Sequence, residues 1–267
     1  MLLFFHMLIF ASFISHVMVW EKDIFNRNEL LIGREAADKI NRTRVILFGL
    51  GGVGSWCAES LVRSGIGHLT MVDSDCISPT NINRQLPATV ETVGLSKAEV
   101  LKARMLTINP NVDITAIQSP YTAETNDLFR LDTYDYIIDA IDSLEHKTNL
   151  ILNATHTNAT LFSSMGAALK LDASRIRTAE FWKVQGCPMA AALRRRFKKT
   201  AMPAKKFRCV FSDEALDNKG IPPNPTQGGS IWDERKARIN GSMVHITAIF
   251  GFTLAGLLIQ DVLKKTT

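Results

Sequence analysis

Four cysteines in 267 residues, with no CxxC pair, are too few and too scattered for a disulfide scaffold or a thiolate zinc site. Cys57, Cys76, Cys187 and Cys209 therefore read as reduced thiols, and the expected compartment is cytoplasmic. A large charge imbalance is also missing. The 31 Lys and Arg stand against 26 Asp and Glu, a formal +5 that keeps a protein soluble without demanding a polyanionic partner. No internal repeat is visible, which excludes repeat architectures. The opening MLLFFHMLIFASFISHVMVW lacks a basic n-region and a convincing small-residue cleavage site, so a cleaved signal is the weakest of three readings. The others are a membrane anchor, since about 20 apolar residues can span a bilayer, and translation that begins at Met18.

What is present is ordinary globular composition, 46% hydrophobic and 21% charged. Val45–Phe48, His68–Val72, Val112–Ile117, Tyr134–Ile138 and Thr160–Ser164 read as strands. They alternate with helical segments such as Ser55–Ser64 and Lys97–Leu106. This pattern predicts an α/β fold, a Rossmann-like parallel sheet with helices on both faces. Three regions follow: an apolar leader over 1–20, a nucleotide-binding core over 21–175, and a C-terminal region over 176–267 belonging to the same globular unit. Gly220–Ser230 reads as a loop. Met243–Leu263 is long and apolar, but His245, Thr247 and the Gln260–Asp261 pair favour a buried core or dimer helix over a membrane span.

Gly49, Gly51 and Gly54 make a G-x-G-x-x-G turn between a strand and a helix, and Asp73 follows at the next strand end. Such a turn lets backbone approach phosphate, with the helix N-terminus supplying donors. It serves NAD and ATP equally well. Gly52 adds a fourth glycine, and TNINRQ (Thr80–Gln85) and GLSKAEV (Gly94–Val100) then bring Arg84 and Lys97. Two cations suit a triphosphate cleaved between its α- and β-phosphorus, where charge builds on the departing pyrophosphate. In YIIDAIDS (Tyr136–Ser143), Asp142 is read as a magnesium ligand and Asp139 as structural. Arg194, Arg195, Arg196, Lys198, Lys199, Lys205, Lys206 and Arg208, interleaved with Phe197 and Phe207, form a basic stretch with no acidic residue, suited either to sequence-independent binding of phosphates or to a solvated helix face. Cys209 reads as a small buried hydrophobe in preference to a reactive thiol.

GLGGVG, VDSD, NRQ, the lysine of GLSKAEV and DAIDS, in this order, resemble the ThiF/MoeB/HesA family of ubiquitin-activating-type adenylating enzymes. The resemblance implies a nucleotide held by Gly49, Gly51, Gly52, Gly54, Asp73, Asp75, Asn81, Arg84, Gln85 and Lys97, with Mg2+ on Asp142. It implies that Arg84, Lys97 and Asp142 are catalytic. Arg27, in FNRNELLIG (Phe25–Gly33), would enter a partner subunit's site, so a homodimer is expected. SSMGAALKLDASRI (Ser163–Ile176), CPMAAALRRRFKK (Cys187–Lys199), RCVFSDEAL (Arg208–Leu216) and GSMVHITAIFGF (Gly241–Phe252) resemble the branch that cyclises threonylcarbamoyladenosine in tRNA. That branch implies a C-terminal extension facing tRNA, with ATP consumed through an acyl-adenylate. Cys187 stands where relatives commonly have aspartate, and RKARINGS (Arg235–Ser242) lacks a cysteine some members carry, which questions a sulfur relay there. Docking of a sulfurtransferase partner stays open. So do two other functions: activation of a ubiquitin-like sulfur carrier, and an NAD-dependent oxidoreductase.

Overall fold

The computed structural model describes residues 24–220 and 240–265. The apolar leader, and most of the Gly220–Ser230 and Arg235–Ser242 stretches, lie outside them. Helices α1 (Asn26–Ile32) and α2 (Arg34–Arg42) lead into β1 (Arg44–Phe48), α3 (Gly54–Arg63), β2 (His68–Val72), α4 (Lys97–Ile108) and β3 (Asp113–Ile117). Then come β4 (Tyr136–Asp139), α5 (Leu144–His156), β5 (Thr160–Ser164), β6 (Ile176–Glu180), α6 (Pro188–Lys199), β7 (Arg208–Ser212) and α7 (Val244–Lys264). The sheet has seven strands in the order β3-β2-β1-β4-β5-β7-β6. All neighbours are parallel except β6 with β7. The sheet therefore crosses residue 175, carrying two strands that the sequence reading did not anticipate.

Strand alternation divides the apolar residues between two cores. Val45 and Leu47 of β1, with Tyr136 and Ile138 of β4, join the core under α3, α4 and α7. Ile46 and Phe48, with Ile137, join the one under α5 and α6. A strand buried on both faces is the signature of a sheet sandwiched by helices, as predicted. Helix α7 is long and apolar enough to cross a membrane, yet 56% of its apolar window is buried inside the protein. Its packing against α3 has a specific cause. A Cβ on Gly251 would lie 2.4 Å from the Val53 carbonyl oxygen, so only glycine lets the helix approach the turn this closely.

Candidate nucleotide-binding and adenylation site

The site grows from the end of β1. Gly49 has φ +86, and a Cβ there would sit 2.7 Å from the Ala140 carbonyl oxygen, so glycine is required on both counts. Gly54, the first residue of α3, lies against the Gly49 carbonyl with no room for any side chain. The turn is fixed from below by Asp73, at the exit of β2. Its Oδ2 accepts the Leu50 N–H at 2.6 Å and its Oδ1 the Asp75 N–H at 2.9 Å. Burial raises the Asp73 carboxyl above its ordinary range, with the Lys97 charge pulling the other way and Asp75 adding to the rise. Each carboxylate oxygen keeps a further lone pair for a ribose hydroxyl.

Lys97 opens α4 and donates from Nζ to Asp75 Oδ2 at 2.8 Å. Its side chain is 6% exposed while that of Asp75 is 38% exposed, so the pair stands at the rim with its carboxylate outward. The backbone locks this arrangement: Lys97 N–H donates to the Asp75 carbonyl at 3.1 Å, and Ile77 N–H to Leu95 at 2.8 Å. On the other side of the glycine turn, Arg84 packs over Gly52; a Cβ on Gly52 would lie 3.2 Å from Arg84 Cγ and 3.1 Å from Thr247. The Arg84 guanidinium donates to the Thr80 carbonyl at 2.9 Å and to Asn83 Oδ1 at 2.8 Å, within its own loop. Gln85 is buried, and its Oε1 has no hydrogen-bond partner among the described residues. A buried acceptor of that kind calls for a donor that the described residues do not supply. Asn81 has a structural task, its Oδ1 accepting the Ser78 N–H at 3.1 Å.

At the exit of β4, Asp139 and Asp142 part company. Asp139 is fully buried, ion-paired to Lys147 at 2.8 Å and accepting from Ser163 Oγ at 2.6 Å. Asp142 is exposed, two residues past the carbonyl that touches Gly49. The described residues hold no cluster of three metal-ligating side chains. One carboxylate beside a phosphate turn is nevertheless what a magnesium carried on a triphosphate needs, the remaining ligands being phosphate and water.

Arg27 is not brought to this site. Its helix is anchored at the far end of α3, where Asn28 Nδ2 donates to the Arg63 carbonyl at 3.1 Å and Phe25 lies by Gly65. Helix α3 separates it from the glycine turn by about 15 Å of helix. The basic stretch also divides. Arg194 donates to the carbonyls of Val184 and Phe181 at 2.8 and 3.2 Å, and Lys205 to those of Thr157 and Ala159, both at 2.6 Å. Arg208 reaches Thr178 Oγ1 at 2.9 Å. Arg195, Lys198, Lys199 and Lys206 are exposed, and Arg196 is half-buried. Phe197 and Phe207 are core residues against Phe181, so they are not available as stacking platforms. Cys209 is buried, and burial pushes its thiol well up, away from nucleophilic use.

Sequence reasoning passed over Trp56 and read Thr247 only as a mark of a buried helix, not as a neighbour of the glycine turn. The Trp56 indole donates to the Arg84 carbonyl at 3.1 Å and so holds the arginine loop to α3. Neither residue points to the site until the helices are placed.

A glycine turn at a strand exit, an acid on the neighbouring strand, two cations and an outlying carboxylate define a nucleotide-binding α/β protein equipped to divide a triphosphate. Comparison with known proteins narrows the class. The ThiF family model matches residues 25–267, and the chain belongs to that family. A tRNA threonylcarbamoyladenosine dehydratase of Bacillus subtilis is 36% identical over 241 residues, 90% of this chain and 94% of that protein. The structure of the Escherichia coli tRNA N6-threonylcarbamoyladenosine dehydratase TcdA in complex with ATP is 31% identical. It superposes with a TM-score of 0.80 over 92% of this chain and 96% of that one. A sulfur carrier protein adenylyltransferase of Thermus thermophilus is 34% identical over 131 residues, 47% of this chain.

Proposed function

We propose that this chain uses ATP to dehydrate threonylcarbamoyladenosine in tRNA to its cyclic form through an acyl-adenylate. The observation that carries this reading is the reach of the similarity. The dehydratases match about nine-tenths of the chain, whereas the carrier-activating relative matches less than half of it.

The threonyl carboxylate is a poor electrophile. Its oxygen attacks the α-phosphorus of ATP and pyrophosphate leaves; the carbamoyl nitrogen then attacks the acyl carbon, loses its proton and expels AMP. Ring closure is intramolecular and gains from held geometry. Gly49 to Gly54 cradle the phosphates, Asp73 takes the ribose, and Gln85 offers its unpartnered oxygen to the bound nucleotide. Lys97 and Arg84 offset the charge that develops on pyrophosphate, a contact that strengthens in the transition state. Magnesium, when bound through Asp142, neutralises phosphate charge.

Arg27 acts from a second copy. The exposed face of its helix, with Leu30 at 86% and Leu31 at 85% exposure, fits burial against a partner. Arg195, Lys198, Lys199 and Lys206 supply the sequence-independent attraction for tRNA phosphates. A tRNA substrate and four free thiols suit a cytoplasmic setting. Nucleoside analysis of tRNA from cells lacking this protein tests the proposal. The uncyclised threonylcarbamoyladenosine should replace the cyclic form, and an unchanged cyclic fraction would refute it.

A further inference from the structure

The parallel strands β2, β1, β4, β5 and β7 end along one edge of the sheet in that order. Asp73, the glycine turn and Asp142 occupy the first three exits. Ligands of open α/β sheets lie over such exits, so the ground beside the nucleotide is the pair of loops leaving β5 and β7. Lys170 lies on the first of these loops and is 4% exposed. Its ammonium donates to the backbone carbonyl of Glu214 on the second loop, its one hydrogen bond among the described residues. The Glu214 carboxylate returns the tie, accepting the N–H groups of Leu171 at 2.8 Å and Asp172 at 2.9 Å. Those two amides hold the Glu214 carboxyl below its ordinary range.

The segment is under constraint. Leu169 has φ +60, a left-handed conformation uncommon for a branched residue. It is held there by its N–H on the Gly241 carbonyl at 2.9 Å and by Leu216 N–H on its own carbonyl at 3.0 Å. The Leu171 carbonyl is 2.9 Å from His245 Nε2. Residues 241–247 then reach the nucleotide side directly: Asn83 Nδ2 donates to the Ser242 carbonyl at 3.0 Å, and Thr247 packs on Gly52. An apolar side chain of similar length could fill the Lys170 volume without the cost of burying an ammonium. What it could not do is tether the two loops.

We infer that Lys170 is a positioning residue: by tying the exits of β5 and β7 it fixes the platform beside the glycine turn on which tRNA presents its threonylcarbamoyl carboxylate. This rests on the function proposed above. The test compares the full chain with Lys170→Met, Lys170→Arg and Glu214→Gln, measuring ATP affinity by calorimetry and cyclisation kinetics on threonylcarbamoyladenosine-containing tRNA. Lys170→Met should raise KM for tRNA by about tenfold or more, with kcat at saturating tRNA and ATP affinity changed by no more than about twofold. Lys170→Arg, which keeps a donor, should recover most of the loss, and Glu214→Gln should shift KM in the same direction by less. Should Lys170→Met fail to fold, Lys170→Gln, which removes the charge and shortens the reach to the Glu214 carbonyl, takes its place with the same expected rise in KM. An unchanged KM in the folded variants, or ATP affinity falling in step with KM, would overturn the assignment. A wild-type protein that binds ATP but leaves the nucleoside uncyclised would instead overturn the function on which it rests.

Discussion

Two aspartate–lysine pairs stand at the exits of β2 and β4, on either side of the glycine turn that follows β1, each 2.8 Å apart, and they differ in surroundings. Asp139–Lys147, after β4, is sealed, with both side chains at 0% exposure and further bonds from Ser163 and to the Ile141 carbonyl. Asp75–Lys97, after β2, sits at the rim with its carboxylate 38% exposed. The first is closed to any outside anion and holds β4 to α5. Under the proposed function the second opens, a phosphate taking the place of Asp75 beside Lys97. Equal distances therefore say little about role; what separates the pairs is whether an outside anion can compete.

Breaking each pair should give opposite results. Lys147→Ala leaves Asp139 as a buried unpaired charge and should destabilise the fold by about 3–5 kcal/mol, read as a fall in urea midpoint. Lys97→Ala should hardly move the unfolding midpoint, yet lower adenylation on the order of ten- to a thousandfold, with Arg84→Ala in the same range. Full activity in both of the latter would mean the phosphates lie elsewhere. Gly49→Ala belongs between the two classes. It strains φ +86 and meets the Ala140 carbonyl, so about 1–3 kcal/mol of stability should go together with ATP affinity.

The smallest effect concerns Glu59, away from the site. Burial alone would raise its carboxyl, but the hydrogen bonds from Arg104 and Arg63 outweigh it and hold the group below 4.5. A depressed carboxyl contributes stability that is present above its unfolded value and lost as pH falls through the folded one. Glu59→Gln should therefore be less stable than wild type at neutral pH, with the gap narrowing below about pH 4.5. A gap constant across that range in calorimetric scans would contradict the pairing.

The same contrast explains what could be read in advance. The glycine turn, Asp73, Arg84 and Lys97 could be nominated as a candidate site because nucleotide chemistry needs those types in that order. Strands β1, β2 and β4 were legible because buried parallel strands are largely apolar, and β3 and β5 because short β-prone runs fall between helical segments. Strand β6, Ile176–Glu180, carries Arg177 and Glu180 because it lies at the sheet edge, and β7 begins inside a charge run, so neither announces itself. Phe197 resembled a base-stacking residue, yet Ala190, Leu193 and Phe197 recur at helical spacing and form the buried face of α6. Arg194 and Lys205 lost their place among the tRNA contacts because their partners are carbonyls distant in the chain. Asp142, Arg84 and Lys97 could be nominated from sequence, but the Asp75–Lys97 pair that a phosphate would have to open is visible only with side chains in place.

That opening is best tested by a crystal structure with a non-hydrolysable ATP analogue and magnesium. Lys97 Nζ should lie within hydrogen-bonding distance of a phosphate oxygen, with its bond to Asp75 lengthened or broken and Asp139–Lys147 unchanged. Lys97 still closed on Asp75, with the phosphates bound out of its reach, would contradict it.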